Sequence, residues 1–182
     1  MSSRSTAMLD ACVLINILAS GRARDILSSS ELDFAISTIV SRESIYLRAS
    51  DPKAPSVAEN LEALVQAQFL RVVELSGDDE QSAYVNYAAD LDDGEAMTLA
   101  LAFSRGFLVA TDDRKARRIF LKNAGDQTRL LSTPQILKSW TQRARLSSAE
   151  VKELLLEISA RGRFSPHPTD PEHSWWSNAI AQ

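Results

Sequence analysis

Five short apolar runs punctuate residues 6–140: TAMLD (6–10), FAIS (34–37), LRVVEL (70–75), FLVAT (107–111) and RLLS (129–132). Each has strand length rather than helix length. The segments between them carry apolar residues at helical spacing. Strands that alternate with helices pair in parallel, because returning to the same edge of a sheet needs a long crossover that a helix fills. Such crossovers are right-handed and place helices on both faces. The fold class is therefore α/β with a central parallel sheet. In sheets of this kind the carboxyl ends of the strands form the functional rim.

The intervening segments read as follows. CVLINILASG (12–21) is a helix broken at Gly21, and residues 22–29 form a second short one. TIVSRESIYLRAS (38–50) is a helix capped by Ser37 or Thr38, and DPKAP (51–55) is a loop. Residues 57–68 and 77–91 are helical, the latter opening on acids that suit a helix N-terminus. DDGEAMTLALAFSRG (92–106) is the clearest helix, capped by Asp92 or Asp93 and stopped at Gly106. RKARRIFLKNAG (114–125) follows, and Thr133 is read as the cap of PQILKSWTQRA, with Pro134 at its first position. SSAE (147–150) is a capping box opening one more amphipathic helix. The expected organisation is a domain over 6–145, a C-terminal helix over 146–162, and a Pro/Trp-containing tail over 163–182 that is extended or disordered.

Bulk properties exclude several functions. The formal net charge is −4, so the overall field repels nucleic acid; phosphate binding must depend on local cations or bound metal. A single cysteine, Cys12, rules out an internal disulfide, and its apolar neighbours mark it as a small buried hydrophobe. The two histidines, His167 and His173, both fall in the tail, which argues against a histidine-based zinc site or a Ser-His-Asp triad. No apolar run approaches the ~20 residues of a membrane span, and MSSRSTAMLD is a poor signal peptide, so a cytoplasmic protein is expected.

The carboxylates carry the chemistry. Asp10 ends the first strand, Glu43 lies on the helix after the second, and Glu95 lies in the first turn of the DDGEA helix. Asp112 and Asp113 follow FLVAT directly. Neighbouring strands would bring these acids to one rim. Several anions in close quarters cannot all stay ionised without a cation. An oxygen-only donor set suits Mg²⁺ or Mn²⁺, and such an ion can activate water and brace a phosphodiester for in-line displacement. Arg114, Lys115, Arg117 and Arg118, just beyond the acids, are candidates for backbone-phosphate contacts. Each residue alone has a plainer role: Asp10 and Asp112 or Asp113 as helix caps, Glu43 as a solvated acid, Glu95 as a first-turn acid, RKARR as a solvated face. Order and placement together make the joint reading stronger than its parts.

The segments MLDACVLINIL, Glu43 after FAIS, LDDGEAMTLALA, LVATDDRKARR and STPQIL together resemble the PIN-domain family over residues 6–145. The resemblance implies a three-layer α/β/α sandwich, an acidic site dependent on Mg²⁺ or Mn²⁺, and cleavage of RNA. Many small members resemble VapC-type toxins, which pair with a small antitoxin and often form homodimers. Asp10, Glu43 and Glu95 match the first three family acids. For the fourth, one spelling of the motif selects Asp113 and another Asp112. Asn16 matches a polar position seen in some relatives, although helix packing accounts for it equally well. Glu95 stands where many relatives have aspartate. The C-terminal helix and tail exceed a minimal toxin domain, and Trp175 and Trp176 are candidate anchors. A second reading is a chain that keeps the fold but serves only to bind a protein partner. A haloacid-dehalogenase-like enzyme would need Asp-x-Asp after the first strand, where this chain has Asp10-Ala11-Cys12.

Overall fold

Strand residues buried on both faces, such as Ala7, Met8 and Leu9, can be satisfied only between two layers of helices. A computed structural model of the chain describes residues 4–46 and 57–181 and shows that arrangement. The loop expected at 51–55 and the end of the helix expected at 38–50 lie outside the described residues. The strands are β1 (Thr6–Leu9), β2 (Asp33–Ser37), β3 (Arg71–Val73), β4 (Leu108–Ala110) and β5 (Leu130–Leu131). The helices are α1 (Ala11–Ala19), α2 (Ala23–Ser28), α3 (Thr38–Tyr46), α4 (Val57–Gln66), α5 (Gly77–Ala88), α6 (Asp93–Arg105), α7 (Arg114–Ala124), α8 (Thr133–Arg143), α9 (Ser148–Arg161) and α10 (His173–Ala181).

The sheet has five strands, all parallel, in the order β3-β2-β1-β4-β5. The chain leaves β1 toward one edge and returns to build the other, so the topology reverses beside β1. Such a reversal opens a crevice at the carboxyl ends of the central strands. Met8 pairs with Val109 and Leu9 with Ala110, which places the residues that follow, Asp10 and Thr111, side by side. The Asp10 N–H donates to Ala110 O at 2.9 Å, continuing the ladder one step into the rim.

Side-chain alternation along the strands divides the core in two. Ala7, Leu9, Phe34, Ile36 and Ala110 face α1, α2, α4, α8, α9 and α10. Met8, Ala35, Val109 and Leu130 face α5, α6 and α7. The three layers are therefore those expected of the sequence.

Two local readings are corrected. Ser132, not Thr133, is the N-cap of α8: it forms a reciprocal capping box with Gln135. Pro134 is then the second helical residue, and the Thr133 hydroxyl is released for another partner. The tail, read as extended or disordered, carries α10. Trp176 is 2% exposed and meets Phe164 edge-on at 5.4 Å. Burial of a large aromatic stabilises a nine-residue helix that is too short to persist alone. The stretch between α9 and α10 remains without helix or strand.

Candidate active site

The rim is built by caps. Asp10 leaves β1 in extended conformation and is the N-cap of α1, accepting from the Ala11 N–H at 2.7 Å. It also accepts from the Thr111 hydroxyl at 2.8 Å and from the Cys12 thiol at 3.3 Å. Asp10 is 4% exposed, and burial pushes its carboxyl above the usual aspartate range, although the Thr111, Ala11 and Cys12 donors oppose the change. Cys12 is thus more than a small hydrophobe. Its sulfur lies between the two acidic strand ends, donating to Asp10 and accepting from the Asp112 N–H at 3.5 Å. Burial, reinforced by Asp10 and Asp112, pushes the thiol far up, so it carries no thiolate chemistry.

Asp112 and Asp113 divide the work at the end of β4. Asp113 is the N-cap of α7, using Oδ1 to accept from the Ala116 N–H at 2.8 Å. Asp112 turns toward α8. It accepts from the Thr133 N–H at 2.8 Å, the Thr133 hydroxyl at 2.6 Å and the Asn16 amide at 3.2 Å. Burial raises the Asp112 carboxyl, the Thr133 donors lower it, Asp170 from the C-terminal segment raises it and Arg117 lowers it. Asn16 is buried in α1, and its amide bridges Asp112 and Thr133. Its role reaches beyond helix packing.

The two glutamates come from opposite sides. Asp92 caps α6 by accepting from the Glu95 N–H at 2.8 Å, which fixes Glu95 in the first turn. The Glu95 carboxyl is pushed up to about 7, first by burial, then by Asp92, Asp113 and Asp10, against the Asp92 backbone contact. Glu43, on α3, stays largely exposed, but its carboxylate is partly desolvated where it lies over α6; this raises it first, then Asp92, Asp10 and Asp93. Its carboxylate lies directly over Gly94. A Cβ at position 94 would stand 2.7 Å from Glu43 Oε2, so the carboxylate can lie here only because residue 94 is glycine. Asp93 is diverted, accepting from the Tyr84 hydroxyl at 2.9 Å.

Asp10 acts electrostatically on both Glu43 and Glu95, Asp113 acts on Glu95, and Asp92 acts on Asp10, Glu43 and Glu95, so these carboxylates share one rim. Asp112 borders this set and is braced by Thr133 and Asn16. Among the described residues, none of these carboxylates has a basic group within ion-pair distance. Nor do three side chains close into a ready-made cation cage among the described residues. The donor chemistry nonetheless fits a hard divalent ion: oxygen donors only, unpaired and mutually repelling.

The bases separate in the same way. Arg117 points inward, donating to Thr111 O at 2.9 Å and Leu131 O at 2.8 Å, and so ties the end of β4 to that of β5. Lys115 donates to Asp90 O. Arg114 and Arg118 are exposed, and Arg114 meets His167.

A family model described as PIN domain matches residues 6–168. The chain belongs to the PIN-domain family. Membership implies nuclease-type activity, and PIN domains generally use divalent metals and bind RNA. No curated protein matches the chain significantly. The family match runs beyond residue 145, taking in α9 and His167. No helix among the described residues is long and apolar enough to cross a membrane.

Five residues at this PIN site were not singled out for it by sequence reasoning: Cys12, Gly94, Thr111, Thr133 and Asn16 in its bridging role. Gly94 had a usable signal, a glycine in the first turn of a strong helix beside an acid, where helix propensity disfavours it. Thr111 had another, a hydroxyl one residue before the acid pair.

Proposed function

We propose that this PIN-domain protein is a metal-dependent endoribonuclease that hydrolyses RNA phosphodiesters, and that it is the toxin half of a toxin–antitoxin pair. One observation carries the first part: Asp10, Glu43 and Glu95 each hold protons more tightly because of desolvation and neighbouring carboxylates, and among the described residues no basic side chain lies within ion-pair distance to relieve them. A divalent cation removes that cost, and Mg²⁺ or Mn²⁺ bound there supplies water activation and neutralisation of phosphoryl charge. Asp10, Glu43, Glu95 and Asp113 are the residues assigned to hold it, with Asp112 bordering them as a further ligand candidate.

The chain's own groups do the rest. Thr111 and the Ala11 N–H fix the orientation of Asp10. The absence of a side chain at Gly94 keeps Glu43 at the mouth. Asp113 spends one oxygen on the α7 cap and keeps the other for the site. Arg114 and Arg118 meet phosphate on approach, whereas Lys115 and Arg117 serve the backbone. No nucleophilic side chain enters the scheme, so no covalent enzyme intermediate forms.

Purified protein with Mn²⁺ should cut RNA, EDTA should stop the reaction, and Asp10→Asn should abolish it. Cleavage that persists in EDTA and in the variant would defeat the mechanism. Absence of Mn²⁺ and Mg²⁺ binding by calorimetry, together with tight binding to a protein partner, would support the binding-module reading instead. A cytoplasmic location, a small antitoxin partner and a homodimer belong to the toxin reading. Co-purification with the product of a neighbouring small gene, and light scattering, test the last two.

A further inference from the structure

The segment joining α9 to α10 lies against the acidic site, and its attachments are specific. It starts at Gly162, where an added Cβ would stand 2.8 Å from Asn16 Oδ1, the amide that braces Asp112. Phe164 packs on Trp176, and Pro166 is buried. Beyond His167 the chain turns, with the Asp170 N–H donating to His167 O at 2.8 Å. Glu172 then pairs with Lys138 of α8 at 2.5 Å. Both ends of the strap are thus fixed to the domain, and between them His167 Nε2 lies 3.2 Å from Arg114 Nη1.

The chemistry of that contact is selective. A guanidinium only donates, so Nε2 accepts in this contact; Nδ1 then carries the proton and donates to the nearer Thr169 Oγ1 at 2.8 Å, at the expense of the longer 3.2 Å approach of the Thr169 N–H to the same nitrogen. A carboxylate in the same position would hold Arg114 equally well but would cancel its charge. An accepting ring nitrogen holds the arm and leaves the arginine charge, and most of the five guanidinium N–H donors, free. Among the described residues no carboxylate lies within ion-pair distance of Arg114. Of the four bases beside the acids, two are committed to backbone carbonyls, so the site's attraction for phosphate depends heavily on Arg114.

We infer that His167 is a positioning residue for the nucleic-acid substrate: it holds the Arg114 guanidinium at the mouth of the acidic site as a backbone-phosphate contact, which makes the C-terminal strap part of the RNA-binding surface. This rests on the RNase reading above. It adds a wall of the binding surface contributed by a segment expected to be a tail.

The test uses full-length protein and a fluorescein-labelled single-stranded RNA of mixed sequence. Affinity is measured by anisotropy in an Asp10→Asn background, so that the probe stays intact. His167→Ala should weaken binding about three- to tenfold, the effect of freeing one long side chain. Arg114→Ala should weaken it further and flatten the slope of log affinity against log salt by about 0.7, as for one lost phosphate contact. The double variant should match Arg114→Ala alone. His167→Gln, which retains an acceptor, should restore most of the affinity. In the Asp10-containing protein, His167→Ala should raise KM and leave kcat unchanged. Unaltered affinity in His167→Ala, multiplying effects in the double variant, or tighter binding once the latch is cut would overturn the inference while leaving the nuclease reading in place. A wild-type chain that neither binds nor cuts the RNA would overturn both.

Discussion

Replacing Glu95 with glutamine removes a charge and keeps the shape, and the metal-free protein should become more stable at alkaline pH. In the folded chain this carboxyl is pushed from 4.5 up to about 7. A carboxyl whose folded pKa is raised binds its proton more tightly when folded. Its stabilising contribution is therefore complete below about 4.5 and disappears as pH rises through about 7. At about 1.4 kcal/mol per pH unit the full effect would be roughly 3 kcal/mol. Glu95 is only partly buried, and water screens it, which reduces the expected gain to about 1 kcal/mol. For a domain of this size that corresponds to a rise in Tm of roughly 2–4 °C. Calorimetric melts in EDTA at about pH 9 should show Glu95→Gln above wild type, and melts at about pH 4 should show the two equal. Mn²⁺ should then raise the Tm of the wild type more than that of the variant, because binding to the folded state adds stability by mass action. A variant that is less stable at alkaline pH, or a difference that ignores pH, would show that the rim carboxylates do not burden one another.

Gly94→Ala should separate stability from function. The helix gains up to about 1 kcal/mol from alanine. The new methyl, however, displaces the Glu43 carboxylate, the flexible end of a side chain 2.7 Å away. Melting should be unchanged or higher, and Mn²⁺ affinity by calorimetry and RNA cleavage should fall at least tenfold; retained cleavage would remove Glu43 from the site. At the opposite end of α6, Arg105 grips Glu80 with two bonds of 2.7 and 2.9 Å and holds its carboxyl down at about 2. That contribution is present above 4.5 and fades as pH falls through about 2, so Glu80→Gln should cost stability at neutral pH, by about 1–3 kcal/mol in urea titrations, and lose its effect in strong acid.

The layered sheet was legible because each strand falls in a short, mainly apolar run and the segments between them carry helical periodicity, and these signals are local. The acids were legible for the same reason: Asp10, Asp92 and Asp113 each stand where a helix begins, and a cap can be read from neighbouring residues. What escaped depends on contacts across the sequence. The division of labour between Asp112 and Asp113 depends on Thr133 and Asn16, which come from α8 and α1. Thr133 was misassigned as a cap because Ser132 and Thr133 are equivalent locally, and only the position of Asp112 distinguishes them. The tail looked unstructured because its prolines obscure a short helix, which is held by Trp176 packing into a core formed by distant residues. Arg117 looked like a surface base until the pairing of β4 with β5 placed two carbonyls in front of it.

The bond between Thr111 and Asp10 spans 101 positions of the chain and joins the halves of the rim through neighbouring strands. Until β4 docks beside β1, the first acid has neither its hydroxyl donor nor the acids that follow β4. The strap that reaches Arg114 follows later still in the chain. A growing chain on the ribosome therefore carries the separate pieces of a destructive centre without the centre itself. On the proposed ribonuclease reading, that order of assembly would keep the nascent molecule harmless to the message that encodes it.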